Sequence, residues 1–129
     1  MVQSIKRREM QWMKNVQKLN KLTDDFKACQ TVLTAIGDST RQSIIVTLIE
    51  AGCGDGMRVG EITRKTHLSR PAVSHHIKVL KDAKVVNVRR VATMNFYYID
   101  PENNSLKMVK NLLQQMDDYI DEHWEPSNK

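Results

Sequence analysis

Between residues 69 and 78 the sequence sets Ser69, Arg70, Ser74, His75 and Lys78 in a run whose other members are Pro71, Ala72, Val73, His76 and Ile77. At 100° per residue, Val73, Ile77 and Leu80 fall on one line of a helix, with Lys84 within about 40° of it, whereas Ser74, His75 and Lys78 share the opposite face. A helix with one apolar face and one face of short or planar donors is suited to duplex DNA. Arg70 can bond guanine in bidentate fashion, Ser74 and His75 can reach base edges, and Lys78 can reach a phosphate. Ser69 is placed to cap the helix, and Pro71 sits in the first turn, where amide hydrogens lack intrahelical partners.

Other candidate groups flank this helix. Arg89 and Arg90 are neighbours on a strand and point to opposite faces, so at least one faces outward. An outward arginine there meets a phosphate backbone or a minor groove, or else pairs with the acidic C-terminal segment. His76 lies about 60° from the core line and is expected at the core edge, bonded to backbone. Adjacent histidines on a helix diverge by about 100° and are poorly set to chelate one ion. Cys29 sits on an apolar stripe and is expected to be a small buried hydrophobe. Cys53 lies in a glycine-rich loop with no cation nearer than Arg58, so nothing local activates its thiol. The pair Cys53 and Cys29 nevertheless offers an alternative, thiol-redox chemistry.

The elements that must hold these groups follow from periodicity. An amphipathic helix is expected from Ile5 to about Asn20. A second, on the stripe Leu22, Phe26, Cys29, Leu33 and Ile36, would be capped at Thr23 to Asp25 and stopped by Gly37. Asp38 or Ser39 caps a third, with Ile44, Ile45, Leu48 and Ile49 inward. Residues 52–57 hold three of the five glycines and read as a loop. A short helix from about Arg58 to Thr66, with Val59 and Ile62 inward, leads through His67 to Ser69 into the helix of residues 70–83. The period then changes from 3.6 to 2. Val85 to Val91 and Phe96 to Ile99, joined by Ala92 to Asn95, read as a hairpin ended by Asp100 and Pro101. A last helix from about Asn104 to Trp124 carries Leu106, Val109, Leu112, Leu113, Met116, Ile120 and Trp124 on one stripe. The order predicts a mainly α fold with a small β-hairpin wing. It is a winged helix-turn-helix in a single domain, with the helix-turn-helix at 58–83, the wing at 85–100, and helices 1–22 and 104–124 forming a dimer interface.

Bulk properties agree. The net charge is only +5, but residues 58–95 carry nine basic side chains against Glu61 and Asp82, while 23–57 and 96–129 are acidic. A basic middle of this kind is the footprint of a nucleic-acid reader. No stretch approaches the roughly 18 apolar residues of a membrane span, and the N-terminus lacks the apolar run of a secretory signal. With only two cysteines, the expectation is a cytoplasmic protein without a disulfide framework. Glycine-rich phosphate loops and nucleophile-base-orienter sets are missing, so no enzyme and no cofactor is expected.

The runs LTAIGDSTRQSIIVTLIEAG, VGEITRKTHLSRPAVSHHIKVLKDAKVV and NFYYIDP, over roughly residues 30–101, resemble the ArsR/SmtB family of bacterial transcriptional repressors. The resemblance implies a homodimer held by its N- and C-terminal helices, bound to an imperfect palindromic operator in double-stranded DNA and released by an effector. The large apolar residues of the two terminal helices, more than a core of this size readily covers, point to the same dimer independently. Family members that sense thiophilic metals carry a cysteine pair in the first helix of the helix-turn-helix; the matching stretch, Met57 to Thr63, has none. Members that bind zinc on the last helix use Asp-x-His and His-x-x-Glu sets. Here Asp117, Asp118, Asp121 and Glu122 accompany only His123, a donor set read as a solvated face, so no metal is expected. The resulting expectation is a dimeric, sequence-specific DNA-binding repressor without the usual metal ligands and with an unidentified effector. The alternatives are a thiol-responsive repressor and a winged-helix module that binds an acidic protein.

Overall fold

The computed structural model describes residues 2–124, with side chains from residue 6 onward; Ile5, placed on the N-terminal stripe, and residues 125–129 lie outside that description. Six helices and one hairpin follow in order: α1 (Val2–Ala28), α2 (Gln30–Ile36), α3 (Ser39–Ala51), α4 (Val59–Thr66), α5 (Arg70–Asp82), β1 (Asn87–Val91), β2 (Met94–Tyr98) and α6 (Leu106–His123). They form two compact units. One is Thr31–Val109; the other joins the residues up to Gln30 with those from Lys110 onward. The mainly α fold with a hairpin wing is the one expected. Among the described residues no helix is long and apolar enough to cross a membrane.

The unit Thr31–Val109 is built around Ile44, Leu48, Ile62, Val73, Ile77, Leu80 and Val85, all essentially removed from solvent. The core line read along α5 is therefore correct for Val73, Ile77 and Leu80. Lys84 departs from it: the helix ends at Asp82, and Lys84 turns into the left-handed region at φ 61° with its side chain in solvent. Val85 and Val86 are buried but are not strand. Their amides bond to Leu80 O, and Asn104 and Ser105 occupy the carbonyls of Val85 and Ala83, so no ladder partner remains until Asn87.

The hairpin turn is also tighter than the expected four residues. Val91 faces Met94, leaving only Ala92 and Thr93 between the strands, with Ala92 at φ 56°. Met57, expected in a loop, is 5% exposed and exchanges two 2.8 Å backbone hydrogen bonds with Tyr97 on the outer edge of β2. Gly56 permits this approach: its φ is 81°, and a Cβ there would meet Tyr97 O at 3.0 Å.

In the other unit, α1 runs without a break through the expected boundary near Asn20. No glycine or proline interrupts residues 2–28, and Thr23 donates its hydroxyl to Asn20 O within the helix instead of capping a new one. Asp25 accepts from Lys21 Nζ and from Gln115 Nε2, both at 2.7 Å. Met10, Trp12, Met13, Leu19 and Phe26 on α1, and Leu113, Tyr119 and Ile120 on α6, are exposed. Phe26 and Ile49 were both expected to face inward; they are 45% and 60% exposed.

Candidate nucleic-acid interface

The helix-turn-helix is anchored by the corner between α2 and α3. Asp38 caps α3 by accepting from Arg41 N at 2.9 Å. The side chains of α3 then turn back onto the open end of α2. Arg41 Nε donates to Ala35 O at 2.6 Å, Arg41 Nη2 to Thr34 O at 3.2 Å, and Gln42 Nε2 to Ile36 O at 2.8 Å. The last three carbonyls of this short helix are thus bonded by its successor. The Arg41 backbone N–H, more than any other group, holds the Asp38 carboxyl below the usual carboxylate range.

Arg41 also reaches the reading helix: its Nη1 lies 3.3 Å from His76 Nδ1. A guanidinium only donates, so in this contact His76 accepts at Nδ1. The core-edge position expected of His76 is found, but its partner is Arg41 and not the backbone.

On the far side of α5, Ser69, Arg70, Ser74, His75 and Lys78 are all exposed. Ser69 Oγ is engaged as the cap, accepting from Ala72 N at 3.3 Å. The preceding turn is closed by His67 in the left-handed region at φ 60°. On the wing, Arg89 Nη1 donates to Gly54 O at 2.8 Å while its guanidinium lies 4.7 Å from the Tyr98 ring centre, and Arg90 Nε donates to Ala92 O at 3.3 Å. Both arginines are exposed, but each is held by its own hairpin or the adjacent loop.

A cleft of about 510 Å³ opens between the start of α4, Arg70 at the head of α5, and the hairpin turn at Thr93 to Asn95. Arg58, Arg64 and Arg70 line it, with Glu61 as the one carboxylate. A methyl group on Gly60 would lie 3.7 Å from Arg70 Nη1 and 3.8 Å from Arg64 Nη1, so two guanidinium groups converge over a residue that has no side chain. Among the described residues, no basic side chain from residue 58 to 95 forms an ion pair; the pairs present involve Lys18, Lys21 and Arg41. This surface keeps its positive charge unneutralised. Arg58 and Arg64 carried no role in the sequence reading, because only the fold brings the start of α4 beside the start of α5 and the hairpin turn.

Cys29 is buried at the junction of α1 and α2, Cys53 is exposed in the loop, and both are free thiols. The acidic residues of α6 are exposed, and the His123 ring bonds to Tyr119 O at 2.8 Å and stacks on the Tyr119 ring. Among the described residues no three His, Cys, Asp or Glu side chains are grouped to hold a metal ion.

Comparison with known proteins agrees with the fold. The model of the bacterial regulatory protein arsR family matches residues 38–88, from the cap of α3 into β1. An uncharacterized HTH-type transcriptional regulator of Methanocaldococcus jannaschii is 34% identical over 91 residues, which is 69% of this chain and 99% of that protein. The transcriptional repressor SdpR of Bacillus subtilis is 30% identical over 88 residues, 67% of this chain and 93% of the repressor. Among solved structures, a predicted DNA-binding transcriptional regulator from E. coli superposes with a TM-score of 0.56 at 28% identity, covering 73% of this chain and 98% of its own. The transcriptional repressor BigR from Xylella fastidiosa shares the fold at 19% identity, with a TM-score of 0.56 over 74% of this chain and 89% of its own. With a capped reading helix, a hairpin wing and an unneutralised basic face, the chain belongs to the arsR family of bacterial regulatory proteins, winged helix-turn-helix regulators of transcription that bind DNA.

Proposed function

We propose that this regulator is a homodimeric, sequence-specific repressor that binds an imperfect palindromic operator and acts without the metal ligands used by metal-sensing relatives. The observation that carries the reading is the basic face itself. Ser74, His75 and Lys78 stand in solvent on a helix whose opposite side is core, and no acid among the described residues neutralises residues 58–95. Ser74 and His75 address base edges, Lys78 addresses phosphate, Ser69 sets the helix start, Arg70 works from its first turn, and Arg89 and Arg90 lie against the flanking backbone. Repression is the activity named for the Bacillus subtilis relative, and a bound dimer that occludes a promoter accounts for it.

The dimer covers the apolar side chains that α1 and α6 leave in solvent, including Trp12, Leu113 and Ile120 at 67%, 61% and 55% exposure. A two-fold assembly sets two reading helices about one DNA turn apart. Selection of bound duplexes from a random pool tests this reading. A palindromic consensus is expected, and recovery of no enriched sequence overturns it. If the two protomers together contact about 6–10 phosphates, affinity for that consensus falls by about 10³–10⁵ between 50 and 200 mM salt. A light-scattering mass of one chain at micromolar concentration refutes the dimer.

A further inference from the structure

We propose that the cleft lined by Arg58, Arg64 and Arg70 is a clamp for a phosphate oxyanion, namely a backbone phosphodiester of the bound duplex. In this assignment Arg70 works on phosphate and not on guanine. The proposal rests on the DNA-binding reading above and adds to it a site of its own.

Three observations carry it. The first is the partition of arginines within the unit Thr31–Val109. Arg41, Arg89 and Arg90 each donate to a named acceptor, whereas Arg58, Arg64 and Arg70 make no side-chain hydrogen bond or ion pair among the described residues, and these three line one cleft. Three like charges gathered beside a single carboxylate that pairs with none of them are unfavourable unless an anion joins them. The second is Gly60. A methyl group placed there would lie in ordinary contact with both the Arg64 and Arg70 guanidinium groups, at 3.8 and 3.7 Å, so the two charges lie close to one point of the backbone. Glu61, the only acid on the lining, has a carboxylate oxygen 3.4 Å from the Arg58 N–H and is thereby turned toward the start of its own helix. The third is position. The cleft lies between the first residue of the reading helix and the hairpin turn, the two elements that the DNA-binding reading sets against a duplex. Planar guanidinium groups match the paired oxygens of a phosphodiester, and two of them can hold one phosphate from opposite sides.

The test compares wild type, Arg64→Gln, Arg70→Gln, the double variant, and Lys110→Gln as a one-charge control outside the cleft. Each is titrated with the selected operator and with a scrambled duplex across 50–300 mM salt. Because Arg64 and Arg70 hold nothing within the fold, their variants are expected to keep the wild-type melting temperature. Each single variant should bind both duplexes about 10-fold more weakly, with the operator-to-scrambled ratio unchanged and the salt slope lowered by about one per protomer. The double variant should lose less than the product of the two, because both groups hold the same phosphate.

If Arg70→Gln weakens the operator alone, Arg70 reads a base and the clamp is refuted. Unchanged affinity and slope in both single variants refute it as well. Inorganic phosphate supplies the other arm. Wild-type binding of phosphate that is lost in the double variant, with operator affinity unchanged, assigns the cleft to a free anion and overturns the DNA assignment. Failure of the wild type to bind any duplex overturns the DNA-binding reading and the clamp together; wild-type binding with an unaltered Arg64→Gln slope overturns the clamp only.

Discussion

Replacing Arg41 by methionine keeps the length and most of the volume of the aliphatic stem while removing the guanidinium donors to Ala35 O, Thr34 O and His76 Nδ1. The side chain is 14% exposed, so its bonds are shielded from water. Two of them go to part-buried acceptors, Ala35 O at 2.6 Å and His76 Nδ1 at 3.3 Å, and a third goes to the exposed Thr34 O. A hydrogen bond from a charged donor contributes about 1.5–3 kcal/mol, so two shielded bonds and a discounted third give a loss of about 3–5 kcal/mol. The Asp38 pair at 3.9 Å is solvent-screened and adds little. Against a usual total of about 5–15 kcal/mol the variant should still fold.

With a urea slope of about 2 kcal/mol/M, the unfolding midpoint should fall by about 1.5–2.5 M, followed by circular dichroism at one fixed protein concentration. Arg41→Lys should recover less than half of the loss, since one ammonium cannot serve two helices. A cycle with His76→Leu should give a coupling of about 0.5–3 kcal/mol. A midpoint shift under about 0.3 M, or lysine equal to arginine, would show that the corner holds without these bonds.

Three further outcomes follow from named contacts. Ser69→Ala should destabilise the free protein by about 0.5–2 kcal/mol through the lost cap, and Ser69→Gly by only a few tenths; equal losses in urea unfolding would contradict the capping role. Thr63 Oγ1 is buried without a hydrogen-bond partner among the described residues, so Thr63→Val should leave stability unchanged or raise it by up to about 1 kcal/mol, and a loss above that refutes the orphaned hydroxyl. The carboxyls of Asp38, Asp100 and Asp25 are held below the usual range, mainly by the Arg41 N–H, the Glu102 N–H and Lys21 respectively. A lowered folded pKa gives stability that is complete above the unfolded value of about 3.9 and is lost as pH falls through the folded values. The urea midpoint should therefore drop below about pH 4, and Asp38→Asn should remove part of that drop; a flat profile from pH 5 to 2.5 would exclude it.

What could be read in the chain was what is local. The 3.6-residue spacing of Val73, Ile77 and Leu80 identified both faces of α5, and Ser69 with Pro71 marked its start. The continuity of α1 was missed because Thr23 and Asp25 have the chemistry of a cap but bond within the helix or to Gln115, 90 residues on. Val85 and Val86 have strand propensity, but their backbone groups are claimed by the end of α5 and by Asn104 and Ser105. The Arg41 contact with His76 spans 35 residues, and the arginine cleft draws on three separate elements. No periodicity encodes pairings of that range, although the GDSTRQ run could have suggested an arginine turned back on the preceding helix.

The Met57 bridge has a further effect on how copies of this protein meet. A two-stranded sheet has two open margins, each a template for strand addition by another molecule. On β2 that margin is occupied at Tyr97 by Met57, so an incoming strand finds its central donor and acceptor taken. On β1 no such cover is found among the described residues, but Arg89 and Arg90 stand exposed along it, and a second identical margin would bring four guanidinium groups together. One margin is closed by backbone and the other guarded by charge, and together they turn this wing away from edge-to-edge aggregation.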